Sequence, residues 1–251
     1  MQTMYKILWF LSWKLVLLTV LLFSHGKGFP EEPRKPKPIV NRVPEGYDVH
    51  GIDISRHNGK ISWAKVAGVK LDSNQIRFVF IKCTEGISHI DPSFGSNWNK
   101  AGEHHLSRGS YHFFLPRLNA RQQALHYISN NKFENGDLPP VLDIEANDGK
   151  SDKAIATACK KWLRIIEKHY RVKPIIYTNT HFYSRVVKGR LKGYPIWIAQ
   201  YSGDCPQLEP GENWHFWQHN DKGRIAGIGA CVDLNVFHGD SLSFHNFCIK
   251  N

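Results

Sequence analysis

Two carboxylates stand one residue apart in the run Pro139-Pro140-Val141-Leu142-Asp143-Ile144-Glu145. Side chains of a strand alternate between faces, so an extended 141–145 segment puts Asp143 and Glu145 on one face and Leu142 and Ile144 on the other. Burial raises a carboxyl pKa, and a second negative charge beside it raises it further. One acid of such a pair therefore keeps a proton near neutral pH while the other ionises. This is the acid-and-anion couple that cleaves a glycosidic bond, with a proton for the leaving oxygen and a charge for the cationic transition state. The plain alternative is a solvated strand end whose acids cap the next helix.

The couple needs a scaffold, and the chain alternates strand-like and helix-like segments. Strands are expected near 49–55, 78–83, 109–114, 141–145, 175–178 and 196–200. Helices are expected near 63–69, 94–105, 120–131, 152–170 and 182–187. The 152–170 segment shows the 3.6-residue period most clearly, through Ile155, Cys159, Trp162, Leu163 and Ile166, with Ser151 or Asp152 as N-cap. After Ile198 the helices stop, and short runs at 214–219 and 225–237 read as plain strands. Alternation of this kind implies a parallel sheet, here a barrel begun by βα units and closed by strands.

In such sheets the working residues gather at the C-terminal strand ends. Those ends carry Asp53, Glu85, Tyr111, Asp143 with Glu145, Tyr177 with Asn179, Trp197, Gln218 and Asp233. Acids, amides and aromatics in one mouth suit a sugar polymer, since rings stack on pyranose faces and polar groups bind hydroxyl and acetamido groups. Each residue alone has a plain structural role open to it: Trp197 as a core aromatic, Asn179 or Gln218 as a turn or core hydrogen-bonding group, His112 as a satisfied core histidine. Their convergence is what separate structural roles do not explain. The chain has no GxSxG elbow, no glycine-rich phosphate loop and no HExxH. Aromatics accompany acids rather than clustered bases, which argues against nucleic acid as a partner.

Residues 7–23 are almost wholly apolar, with Lys6 before them, and read as an export signal or an uncleaved signal anchor associating with a membrane. Small residues around Ser24 and Gly26 offer a cleavage site, placing the signal or anchor in residues 1–26. A Pro/Lys-rich linker follows in 27–46, and residues 47–251 form the barrel domain. The formal charge of the whole chain is +11, and from residue 49 on there are 26 basic against 18 acidic side chains. The five cysteines show no metal spacing; Cys205, Cys231 and Cys248 are the ones expected to pair, with Cys83 or Cys159 as free core residues. Neither a cofactor nor a metal is called for.

Taken together, the motifs resemble those of glycoside hydrolase family 25, the Chalaropsis-type lysozymes. The resemblance runs through Gly51-Ile52-Asp53-Ile54-Ser55, Phe80-Ile81-Lys82-Cys83-Thr84-Glu85-Gly86, Gly109-Ser110-Tyr111-His112-Phe113-Phe114 and Leu142-Asp143-Ile144-Glu145. It continues through Ile176-Tyr177-Thr178-Asn179, Pro195-Ile196-Trp197-Ile198-Ala199-Gln200-Tyr201, Trp217-Gln218 and Val232-Asp233-Leu234-Asn235. It implies an α/β fold, an irregular TIM-like (β/α)5(β)3 barrel, and N-acetylmuramidase activity on peptidoglycan glycan strands by a monomer. It further implies Glu145 as general acid/base, Asp143 as its stabilising carboxylate, and Asp53 and Asp233 as the rest of the catalytic cluster. Tyr111, Tyr177, Trp197, Gln218, Glu85 and Asn179 would bind substrate. Two departures stand out: Asn235 where the family often has a second Asp, and Cys83 where a small Ala is common. A wall-binding barrel without chemistry, and a hydrolase of another N-acetylhexosamine polymer such as chitin, are the competing functions.

Overall fold

The computed structural model describes residues 41, 43–71, 73–208 and 210–250. The chain divides into two units, 1–38 and 39–251, and the account below concerns the second. The signal or anchor expected in residues 7–23 lies outside the described residues. No helix among the described residues is long and apolar enough to cross a membrane.

Eight strands close into a barrel. They are β1 (His50–Ile54), β3 (Asn74–Glu85), β5 (Ser107–Phe113), β6 (Val141–Asp143), β7 (Ile175–Asn179), β8 (Ile196–Ala199), β9 (Phe216–Gly223) and β10 (Val232–Phe237). From β1 through β3, β5, β6, β7, β8 and β9 each neighbour runs parallel, and β10 is antiparallel to both β9 and β1. Two-residue strands β2 (Lys70–Leu71) and β4 (His89–Ile90) pair only with β3. Helices α1 (Trp63–Ala67), α2 (Phe94–Glu103), α3 (Ala120–Ser129) and α4 (Asp152–Tyr170) follow β1, β3, β5 and β6 respectively. After β7 comes α5 (Thr180–Phe182), continued by a π-helical turn (Tyr183–Val187). Five strand–helix units and three plain strands make the (β/α)5(β)3 order.

Period-2 alternation sorts the side chains into two cores. Phe78, Phe80, Val141, Ile175, Trp197 and Phe216 fill the barrel. Val79, Ile81, Leu142, Ile176 and Ile198 face the surrounding helices together with Trp162, Leu163 and Ile166 of α4. Ser151 caps α4 by accepting the Ala154 N–H, and the chain leaves that helix through Arg171 in the left-handed region (φ 59°).

Four expectations change. The 225–237 run is a strand only from Val232, because the preceding stretch forms the β9–β10 loop. A sixth helix, α6 (Ser241–Phe247), follows the last strand, capped by Asp240 accepting the Ser243 N–H at 2.8 Å. Its Phe244 and Phe247 close the lower end of the barrel against Phe216 and Phe237. The late cysteines do not pair, and all five thiols are free. Cys231 lies in the β9–β10 loop, Cys205 in the β8–β9 connection with its Sγ 3.5 Å from Tyr47 Oη, and Cys248 directly after α6. Asn41, within the expected linker, exchanges hydrogen bonds with the backbone of Arg224 (2.8 and 2.9 Å), so part of that stretch is laid down on the barrel.

Candidate active site

The C-terminal mouth of the barrel holds a cleft of about 260 Å³ lined by Asp53, Tyr111, Asp143, Glu145, Tyr177, Trp197, Tyr201, Gln218 and Asp233. Larger hollows of about 380, 470, 540 and 550 Å³ gather at most three acids, and none brings four carboxyls together as this cleft does. Eight of the ten residues expected at the site thus meet in one place.

Three of the four acids sit at strand ends and the fourth just past one. Asp53 and Asp233 sit opposite one another on the antiparallel β1–β10 pair. Asp143 is the last residue of β6, and its inward direction follows from register with Tyr177 on β7 and Phe113 on β5. Glu145 lies beyond the strand rather than on it, although Ile144 still donates its N–H to the Tyr177 carbonyl (3.0 Å). Thr178 Oγ1 donates to the Ile144 carbonyl at 2.7 Å, which pins the turn that leads to Glu145. The two acids therefore differ in depth: Asp143 is 5% exposed, and Glu145 stands at the lip in contact with solvent.

A relay of amides fixes the opposite wall. Tyr177 Oη (2.9 Å) and Tyr201 Oη (2.6 Å) both donate to Gln218 Oε1. With its oxygen so engaged, Gln218 turns Nε2 to Asp53 Oδ2 at 2.8 Å. Asn235 does likewise: its Oδ1 accepts the Trp197 indole N–H (2.7 Å) and its Nδ2 donates to Asp53 Oδ2 (2.7 Å). Asp53 also shares a hydrogen bond with Asp233. Three donors converge on Asp53, so the negative charge of this pair rests there and the proton rests on Asp233. Burial, with the Asp53 charge next in size, pushes Asp233 up to about 9.

The Asp143/Glu145 pair behaves in the same way. Burial raises Asp143 well above the usual carboxyl range, and the Glu145 charge adds to it. Burial and the Asp53 charge raise Glu145. One proton is therefore shared between them, and in the open cleft the deeper group, Asp143, is the better place for it. Asp143 Oδ1 is buried and has no hydrogen-bond partner among the described residues. An orphaned buried acceptor in a cleft is costly unless a ligand completes it.

Two expected residues do not line the cleft. Glu85 accepts an ion pair from Lys82 Nζ at 2.8 Å instead of lining the cleft. Asn179 Oδ1 accepts the Phe182 N–H (2.8 Å) and caps α5. Trp197 belongs to the cleft floor but is only 2% exposed, stacked on Phe80 at 4.3 Å, so it supports the wall and offers no open face. His112 faces outward, between Thr84 Oγ1 (2.8 Å) and Gln123 Oε1 (3.2 Å), and burial holds it neutral, with its pKa down to about 3. Tyr201 was not among the expected site residues; it is 49% exposed and is the open aromatic of the cleft. Its place directly after the β8 motif was the signal available for it.

Residues 52–228 match the sequence pattern of glycosyl hydrolases family 25. Lysozyme M1 of Streptomyces globisporus is 30% identical over 207 residues, covering 77% of this chain and 69% of that protein. The uncharacterized protein YegX of Escherichia coli K12 is 40% identical over 206 residues, covering 82% and 75%. Among solved structures, a family 25 glycosyl hydrolase from Bacillus anthracis superposes with a TM-score of 0.75 at 28% identity, over 86% of this chain and all of that one.

Proposed function

Because the chain belongs to glycosyl hydrolases family 25, we propose that it is a peptidoglycan hydrolase that cuts the β-1,4 bond between N-acetylmuramic acid and N-acetylglucosamine. The observation that carries this reading is the pairing of a deep carboxyl bearing an orphaned oxygen, Asp143, with a carboxyl at the lip, Glu145. An acetamido N–H donating to Asp143 Oδ1 would complete that acceptor and favour the ionised form of Asp143. The shared proton then resides on Glu145, where the glycosidic oxygen would lie.

From there the bond changes balance. The acetamido carbonyl oxygen attacks the anomeric carbon, the bond to the leaving sugar breaks, and Glu145 gives its proton to the departing oxygen. The amide, now bonded through oxygen, is positively charged, and ionised Asp143 faces its N–H. Water, deprotonated by Glu145, then opens the intermediate with net retention. Asp53, fixed as an anion by Gln218 and Asn235, adds negative potential toward the developing cation.

Mass spectrometry of muropeptides released from purified walls reports the bond cut. Glu145→Gln is expected to lose roughly 10²- to 10⁴-fold in turnover while still binding wall fragments. Near-wild-type turnover in that variant, or reducing ends released from chitin and none from peptidoglycan, sinks the assignment.

A further inference from the structure

Lys82 stands inside the barrel mouth, where a cation is expensive. Along β3, Phe78 and Phe80 point inward and Val79 and Ile81 outward, so the next inward position is Lys82. Its side chain is only 15% exposed. Desolvating an ammonium is unfavourable without a counter-charge.

The counter-charge reaches it through a defect in the strand. Residues three apart on a regular strand face opposite ways, so Lys82 and Glu85 should diverge. Register against β5 runs Lys82 to Tyr111, then Thr84 to His112 and Glu85 to Phe113. Cys83 is thus an extra residue, a β-bulge. Thr84 turns outward to His112, and Glu85 comes back to the inward face beside Phe113. Lys82 Nζ meets Glu85 Oε2 at 2.8 Å and lies 4.9 Å from the Phe113 ring centre. Phe113 is in turn the β5 partner of Asp143. The bulge thus brings a counter-charge to the ammonium beside the strand end that carries the paired acids.

We propose that Lys82, clamped by Glu85, is a positioning residue for this site: its ammonium stabilises the ionised form of Asp143, so the proton shared with Glu145 can pass to Glu145 when substrate fills the cleft. The inference rests on the reading of Asp143 and Glu145 as the reacting pair. Around that pair the charged groups are Asp53 from β1, Lys82 and Glu85 from β3, and Asp233 from β10; Lys82 is the cation whose charge opposes burial at both Asp143 and Glu145. The tyrosines from β5 and β7, Tyr111 and Tyr177, are held protonated by burial, well above their ordinary value, and do not titrate in the working range.

The direct test is a ¹³C carboxyl titration of Asp143 by NMR in the intact protein, assigned by loss of the signal in Asp143→Asn. Lys82→Met should move the midpoint up by about one pH unit or more, Lys82→Arg should leave it near the wild-type value, and Glu85→Gln, which removes a negative charge, should move it down. The acidic limb of the kcat/KM profile should follow in the same directions. An unmoved Asp143 midpoint in Lys82→Met overturns the proposal, and should that variant fail to fold, an unmoved midpoint in Lys82→Gln does so. Failure of the muramidase reading looks different: wild-type protein would cut no muropeptide bond at any pH, whatever the titration shows.

Discussion

At the scale of single residues the cleft contains more carboxyls than it can ionise, and hydrogen bonding decides which ones carry charge. Asp53 takes the charge because Gln218 and Asn235 donate to it, and Asp233 keeps the proton. That arrangement has a cost that depends on pH. In the folded protein Asp233 titrates at about 9, against 3.8 for the ordinary group, so between those values the folded state holds a proton that the unfolded state has lost. Stability attributable to this residue must therefore fall as pH rises from about 4 to about 9 and level off above that. Asp233→Asn removes the titration while keeping an N–H for Asp53. Thermal melts of the two proteins should coincide near pH 4 and diverge in favour of the variant toward pH 9. A constant difference across that range would place the proton elsewhere.

At the scale of elements, the inward faces of β1 and β5 have glycine where large rings need space. A Cβ on Gly51 would lie 2.3 Å from the Phe78 ring, and one on Gly109 would lie 2.3 Å from the Phe80 ring. Gly51→Ala and Gly109→Ala should each cost about 1–3 kcal/mol in denaturant unfolding, since the rings are held on their other sides by Phe216 and Trp197. Pairing Gly51→Ala with Phe78→Leu should recover part of that loss. Much of this level was legible in the sequence. Apolar runs with period 2 located the strands, and Ile155, Cys159, Trp162, Leu163 and Ile166 located α4. The strand ends brought Asp53, Asp143, Glu145 and Asp233 to one mouth. Glu85 reaches the inward face at the mouth only because a bulge at Cys83 resets the alternation, and nothing in residue type marks that bulge or the ion pair with Lys82 that occupies the Glu85 carboxylate. Asn179 caps α5, a hydrogen-bonding role that residue type alone does not separate from a ligand contact, because both use the same amide. Helix α6 escaped notice because Ser241-Leu242-Ser243-Phe244-His245-Asn246-Phe247 carries few strong helix formers, and its Asp240 cap is a weak cue on its own.

At the scale of the whole molecule, the barrel has two unlike ends. The upper end is polar and open; the lower is sealed by the chain's last residues. Phe244 lies 5.6 Å from Phe78 and 5.3 Å from Phe237, and Phe247 lies 5.4 Å from Phe216. Beyond them Ile249 donates its N–H to the Asp137 carbonyl (2.8 Å) and accepts that of Gly136 (3.0 Å). Burying an aromatic or branched side chain stabilises by roughly 1.5–3 kcal/mol, so removing three of them takes away much of a net stability of about 5–15 kcal/mol. A chain ending at Gly239 should lose its cooperative melt and most of its soluble yield, although no cleft residue has been touched. A wild-type melt in the truncated protein would show the seal to be dispensable.

Strand β1 is bonded on one side to β3 and on the other to β10, the last strand made. During synthesis, then, the first strand waits with one edge bare until nearly the whole domain has been translated. The register that sets Asp53 against Asp233 is the most distant in sequence of any in the barrel, and it is made at the closing seam. Contacts of such long sequence separation form late and slowly. The chain accordingly acquires its acidic mouth in the same step that completes the cylinder. A partly built barrel with β10 still unplaced would hold Asp143 and Glu145 on the end of β6 but would lack Asp233 and Asn235, so the sharing of charge and proton at Asp53 is completed only when the cylinder closes.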